Sequence, residues 1–357
     1  MNRFFIICER DAGLFSLLQQ VIANLPRALN DSMIPIVYFS KNCCYWVPQG
    51  YRGRDNVWEY YFEPLIEKYD SNQLSETLKS FVATSPPDPG SRGVRFDSYH
   101  YLSNNFGDHS QLLNQCLVIP FEWKDPDLWL RTVCSRLINT FIRPRQFLQD
   151  RAADFIAKHF STSVVIGLHI RGTDALSAEE PRLFRKNSLV LERYLQCIAF
   201  EKQKSPDAKI FVATDSKASL SAIEDVFGDD VLSSSRIMHT QGAAAGQGPT
   251  GALMPSYVAS DANIAVENGA EAVVDYLILR HCTILIHNGA SLARTVLLSD
   301  PDMPHINTHR PGWKMRLKAF SIRPGNLRRQ MQRWQERLTR QNKIRFEQWR
   351  DFLKGIS

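Results

Sequence analysis

The stretch Val164-Val-Ile-Gly-Leu-His-Ile-Arg-Gly-Thr-Asp174 constrains this chain more than any other. Its first half is an apolar, β-branched run of the kind a buried parallel strand needs. The character then changes within four residues. His169, Arg171, Thr173 and Asp174 bring out polar groups where the strand ends. In open α/β sheets, ligands bind outside the carboxyl ends of the strands. An arginine there, next to a glycine that admits close backbone approach, suits a phosphate or diphosphate. An ordinary Arg171–Asp174 ion pair at a loop entrance fits the same residues.

The pattern recurs. A helix is predicted over Val190–Gln203, and Lys209-Ile-Phe-Val-Ala-Thr-Asp-Ser216 then reads as a second strand with a polar end. Strand, polar end, helix, strand is the repeat of a doubly wound nucleotide-binding unit. No G-x-G-x-x-G follows a strand, which argues against a dinucleotide dehydrogenase, and no Walker A sequence points to a P-loop kinase. Ser216 is placed to cap the next helix. Asn268–Cys282 reads as a helix after a glycine turn, with Glu271 and Asp275 four apart on one face, either solvated or part of a site. Thr283–His287 reads as a strand. Asn288-Gly-Ala-Ser291 then leads into a helix through Leu298 whose N-terminus suits a diphosphate, with Ser291 adding a hydroxyl and Arg294 a charge.

The first half opens as βαβ. Phe4–Cys8 is a strand, Leu14–Leu29 has helical apolar spacing, and Ile34–Phe39 is a strand. Asn56–Pro64 is dense in aromatics with two carboxylates, which either fill a core or grip a sugar ring. Asp125-Pro126 reads as a helix start with the acid at the N-cap. A further helix covers Gln146–Phe160, near the crossing between two domains. Gly242–Gly251 has no apolar period and reads as a loop or a lid.

Gly167-Leu-His-Ile-Arg-Gly-Thr-Asp174 resembles the G-x-H-x-R motif of the α-1,6/α-1,2/protein O-fucosyltransferase superfamily, with greatest similarity to the α-1,6 and nodulation types. Phe211–Ser216 and the helix–strand–Ser291 segment resemble two further elements of that family, so the resemblance covers roughly residues 160–300. It implies an α/β fold of two Rossmann-like domains facing a cleft, the GT-B type. It implies an inverting, metal-free transfer from a GDP-sugar, above all GDP-fucose, to a glycan hydroxyl, with no cofactor. By this resemblance Arg171 clamps the β-phosphate and His169 packs under the nucleotide or hydrogen-bonds a neighbouring oxygen. Asp215 and Asp275 orient the base, ribose and sugar. Asp174, Ser216, Ser291 and Arg294 complete the donor site, and Glu179, with Glu180 beside it, is the base. The mammalian-type pattern has a second arginine where Gly172 stands, which removes one expected donor contact.

The chain has 357 residues, enough for two cores. Domains are expected over 1–155 (the acceptor side), 156–320 (the nucleotide-sugar side) and 321–357 (a basic helix). Lys and Arg number 43 against 37 Asp and Glu, a net +6. Much of this excess lies beyond Arg310, in a helix that returns onto the first domain or rests on an anionic membrane. No nucleic-acid recognition motif accompanies it. Seven scattered cysteines without C-x-x-C spacing suit buried thiols in a reducing, cytoplasmic setting. No stretch is long and apolar enough to span a bilayer. A nucleotide- or carbohydrate-binding protein without catalysis, and a scaffold working through its basic helix, are the rival classes.

Overall fold

The computed structural model describes residues 2–10, 12–84, 94–103, 117, 119, 125–160, 164–171, 187–235, 245–247, 253–255 and 262–308. β1 (Phe4–Cys8), α1 (Leu14–Asn30) and β2 (Ile34–Tyr38) form the expected βαβ opening, with β1 and β2 parallel. Two short strands, β3 (Val94–Arg95) and β4 (His100–Ser103), extend this sheet to the order β2-β1-β4-β3. Helix α1 is buried on nearly every side, including Gln19, Gln20 and Asn24. Buried amides need partners. Gln20 Nε2 donates to the Cys8 carbonyl, and Asn24 Nδ2 donates to the Gln20 carbonyl.

The aromatic stretch forms α2 (Trp58–Tyr61) and fills the core: Trp58, Tyr60, Tyr61 and Phe62 are all buried. Glu59 is buried with them, accepting from Asn56 Nδ2, Ser71 N and Arg54 Nη1. These rings and this carboxylate serve packing, not sugar contact. Helix α3 (Glu76–Thr84) covers the other face of the first sheet through Leu78 and Val82.

Helix α4 spans Leu128–Phe141, and its N-cap is Asp127, whose carboxylate accepts from Leu130 N at 2.8 Å. Asp125 therefore does not cap α4, and Pro126 stays outside the helix. The chain continues through α5 (Gln146–His159), β5 (Val165–Ile170), α6 (Asn187–Lys204), β6 (Lys209–Thr214), α7 (Lys217–Phe227) and β7 (Val231–Leu232). Inside the glycine-rich stretch read as a loop lies β8 (Ala245–Gln247), which pairs antiparallel with β9 (Leu253–Pro255) just beyond it. Then follow α8 (Ala262–Leu279), β10 (Ile284–His287), α9 (Ser291–Ser299) and β11 (His305–Asn307). The second sheet is wholly parallel, in the order β11-β10-β5-β6-β7, with β5 at its centre.

One face of this sheet (Ile166, Leu168, Ile170, Ile210, Val212, Ile286) packs against Tyr194, Ile198 and Ile223 of α6 and α7. The other face joins a core that also contains Phe5 and Ile7 of the first sheet. Helix α1 packs against α9, α4 against α9, and α5 against α8, so these five helices fill the space between the sheets. Gly269 lies within α8 instead of starting it. A Cβ there would sit 2.5 Å from the Tyr61 hydroxyl, which donates to the Val266 carbonyl at 3.0 Å. Glycine is therefore needed for close packing of α2 on α8. The predicted helix over 321–357 lies outside the described residues. Among the described residues no helix is long and apolar enough to cross a membrane.

Candidate active site at the carboxyl edge of the second sheet

In-register residues of parallel neighbours share a face. His287 on β10, His169 on β5 and Ala213 on β6 lie in one row, with Asn307 on β11 paired to His287. His169 is the penultimate residue of β5 and is buried. Burial and then the nearby Arg171 charge pull its pKa down to about 3, so the ring is neutral. Its backbone carbonyl accepts from the Tyr194 hydroxyl at 2.7 Å, and its Nδ1 has no hydrogen-bond partner among the described residues. Such a buried nitrogen is unusual unless a ligand completes it.

Arg171, half-buried, follows at the strand end. Its charge also reaches Tyr45, whose phenol burial holds well above the usual range. The Tyr45 oxygen accepts from Leu14 N at 3.1 Å, at the first turn of α1 just after Gly13. Arg171 thus lies near enough to the β1–α1 turn for its charge to act on Tyr45. The same helix reaches α9: Gln19 Nε2 donates to the Ser291 carbonyl at 2.9 Å and to Thr295 Oγ1 at 3.1 Å.

The third contribution comes from the β10–α9 turn. Ala290 is the N-cap of α9 and no side chain caps it, so the first-turn N–H groups keep their capacity for an anion. Ser291 opens this helix. Asn288, fully buried just ahead of it, has neither amide atom hydrogen-bonded among the described residues. Gly289 adopts φ +81°, and its N–H donates to His287 Nδ1 at 2.9 Å.

Not every expected residue lies at this edge. Asp215 does follow the end of β6 there, half-buried. Ser216 does cap α7, accepting from Ser219 N at 3.3 Å, so its hydroxyl is already engaged. Arg294 is buried and acts on Cys134 of α4, opposing the upward push of burial on that thiol. It belongs to the seam between α9 and α4. Asp275 is buried in α8 and accepts from the hydroxyls of Ser234 and Ser235, just past β7. Burial pushes its pKa up to about 7, with Glu271 adding to the push against the two hydroxyls. Glu271 is buried too, so this pair is not a solvated face. Asp174, Glu179 and Glu180 lie outside the described residues.

Three residues to which sequence reading gave no site role meet nearby. Asp125, His287 and His305 present their side-chain ligand atoms within 4.8 Å of one another. Burial opposes ionisation of Asp125, yet His305, His287 and the Asn307 amide outweigh it and hold the carboxyl well below its usual range. The donor set does not suit a metal ion. His287 Nδ1 accepts a backbone N–H, so the neutral ring carries its proton on Nε2, the atom nearest Asp125.

The architecture, two α/β units with the ligand edge of one facing the first turn of the other, is the GT-B type. Among solved structures, the chain is similar to the fucosyltransferase NodZ from Bradyrhizobium, at a TM-score of 0.52 and 20% identity over 87% of this chain and 97% of that one. It is likewise similar to NodZ α-1,6-fucosyltransferase soaked with GDP-fucose, at a TM-score of 0.51 and 19% identity over 86% and 95% of the two chains. The chain has the fold of these fucosyltransferases. No protein-family model and no curated protein matches the sequence.

Proposed function

We propose that this protein is an inverting glycosyltransferase that moves a sugar, fucose in the simplest reading, from a GDP-sugar to a glycan hydroxyl. The observation that carries the proposal is the gathering at one edge of a half-buried arginine, a helix N-terminus uncapped among the described residues, and two buried polar side chains with atoms that find no partner among those residues. Arg171, the α9 N–H groups and Ser291 would take the diphosphate, where negative charge grows as the C1–oxygen bond breaks. The leaving oxygen keeps the electron pair, while the acceptor oxygen bonds to C1 and yields its proton to a base. Glu179 is the base in this reading. His169, Asp174 and Asp215 hold the nucleotide and sugar, with Ser216, Arg294 and the buried Asp275 supporting the elements that carry them. Residues 1–155 face the acceptor and 156–320 hold the donor, while 321–357 return to the first unit or touch a membrane. No metal or cofactor is invoked. The six cysteines described are all free, in keeping with a cytoplasmic setting.

Thermal unfolding with GDP, UDP, ADP and CMP in turn tests this reading. Ligand at ~100 times its dissociation constant adds roughly 2.7 kcal/mol to stability. The expected result is a rise with GDP alone, lost in Arg171→Ala. A rise with UDP or CMP instead discards the GDP-sugar assignment, and no rise with any nucleotide discards the nucleotide site.

A further inference from the structure

The turn between β10 and α9 is held by a chain of polar groups to which the sugar-transfer reading gives no task. The Gly289 N–H donates to His287 Nδ1, a side-chain acceptor two residues back. Asparagine and aspartate use the same spacing in Asx turns, and here an imidazole takes their place. The ring's proton is left on Nε2, which lies 3.6 Å from Asp125 Oδ1. Asp125 is itself fixed. Its Oδ1 accepts from Asn307 Nδ2 at 2.7 Å, and its Oδ2 lies 3.5 Å from His305 Nε2. From β11, Thr308 N and Oγ1 donate to the His287 carbonyl at 2.8 and 3.1 Å.

We propose that Asp125, acting through His287, is a positioning residue that sets the β10–α9 turn and with it the N-terminus of α9 that faces the ligand's anionic end. The negative carboxylate, 3.6 Å from Nε2, favours the tautomer with its proton there, and that tautomer supplies the acceptor for the Gly289 N–H. Without it, a buried N–H would lack a partner, and the turn would have to move to find one. Two features tie the turn to ligand binding. Among the described residues, the fully buried Asn288 inside it has no partner for its amide, and the helix it leads into has no side-chain cap. The ligand half of this inference rests on the nucleoside-diphosphate reading above.

The test uses the full chain, with GDP affinity from isothermal titration, exchange of the Gly289 amide as a ligand-free readout, and melting temperature as a control. His287→Phe keeps a ring but no acceptor. It is expected to weaken GDP binding about tenfold and to speed amide exchange. His287→Asn restores an acceptor at the same spacing and is expected to return both towards wild type. Asp125→Asn is expected to weaken binding in the wild-type background, yet to change nothing further in His287→Asn, where no tautomer remains to be chosen. The proposal is overturned if His287→Phe matches wild type in both readouts. It is equally overturned if folded His287→Asn fails as His287→Phe does. Zinc binding by the wild type that is lost in Asp125→Asn would overturn it in favour of a metal site. If the wild type binds no GDP, the nucleotide reading falls, and exchange at Gly289 alone decides the positioning role. If His287→Phe does not fold, the Asp125→Asn pair of backgrounds decides it.

Discussion

Gly167 opens the G-x-H-x-R motif, yet its reason for being glycine lies behind the strand. A Cβ there would sit 2.9 Å from both Cys282 Cβ and Sγ and 3.0 Å from Leu279 Cδ2. The end of α8 rests directly on β5 at this point. Gly167→Ala is therefore expected to cost about 1–3 kcal/mol through overpacking, read as a lower denaturant midpoint with an unchanged slope. His169 and Arg171 were legible as polar residues at a strand end, because the break from an apolar run is local. Asp125 was not. An acid before a proline looks like a cap, and the groups that claim it, His287, His305 and Asn307, are far away in sequence. Asp127, two residues on, takes the cap. Tyr45, Gln19 and Asn288 escaped notice for a related reason, since nothing in an isolated sequence tells a buried amide or phenol from a surface one.

Elements were legible where the apolar pattern is long. β1, α1, β2, β5 and β6 fall close to their expected bounds. The two-residue strands β3 and β7 and the short β11 carry too few residues for any period to show. Gly269 was read as a turn because glycine usually punctuates. Here Tyr61 overrides that, and α8 runs on through it. Asp275 joins α8 to the serines beyond β7 and makes this contact sensitive to pH. Its folded pKa is raised from 3.8 to about 7, chiefly by burial. A raised acid favours folding where it can stay protonated. Its contribution is present below about pH 4 and is lost as pH rises to about 7, with a slope of at most ~1.4 kcal/mol per pH unit. Asp275→Asn should remove this part of the slope. Unfolding curves from pH 4 to pH 8 for both proteins check it, and parallel slopes would show that Asp275 titrates normally.

At the scale of the molecule, two sheets invite the expectation of two independent domains. The packing points elsewhere, because one hydrophobic core runs from Phe5 and Ile7 through α1, α4, α8 and α9 to Val165, Phe211 and Leu285. Arg131 of α4 fastens the same region, donating to the carbonyls of Leu297, Asp300 and Met303 around the end of α9. Unfolding is expected to be a single transition, with calorimetric and van't Hoff enthalpies in agreement and no separate melting of a 1–155 fragment. Two resolved transitions would restore the division. Sequence could place the sheets, since each strand is a local pattern, but it could not show that they share an interior.

A core without a seam also governs how the cleft can move. Swinging one sheet away from the other would expose the apolar contacts of α1 with α9, so a wide hinge motion would have to break the interior that holds the fold together. The spacing between Arg171 and the Gly13 turn is then expected to be the same with and without ligand. Admission of a ligand would then fall to side-chain rearrangement, which is faster than the reorientation of whole domains.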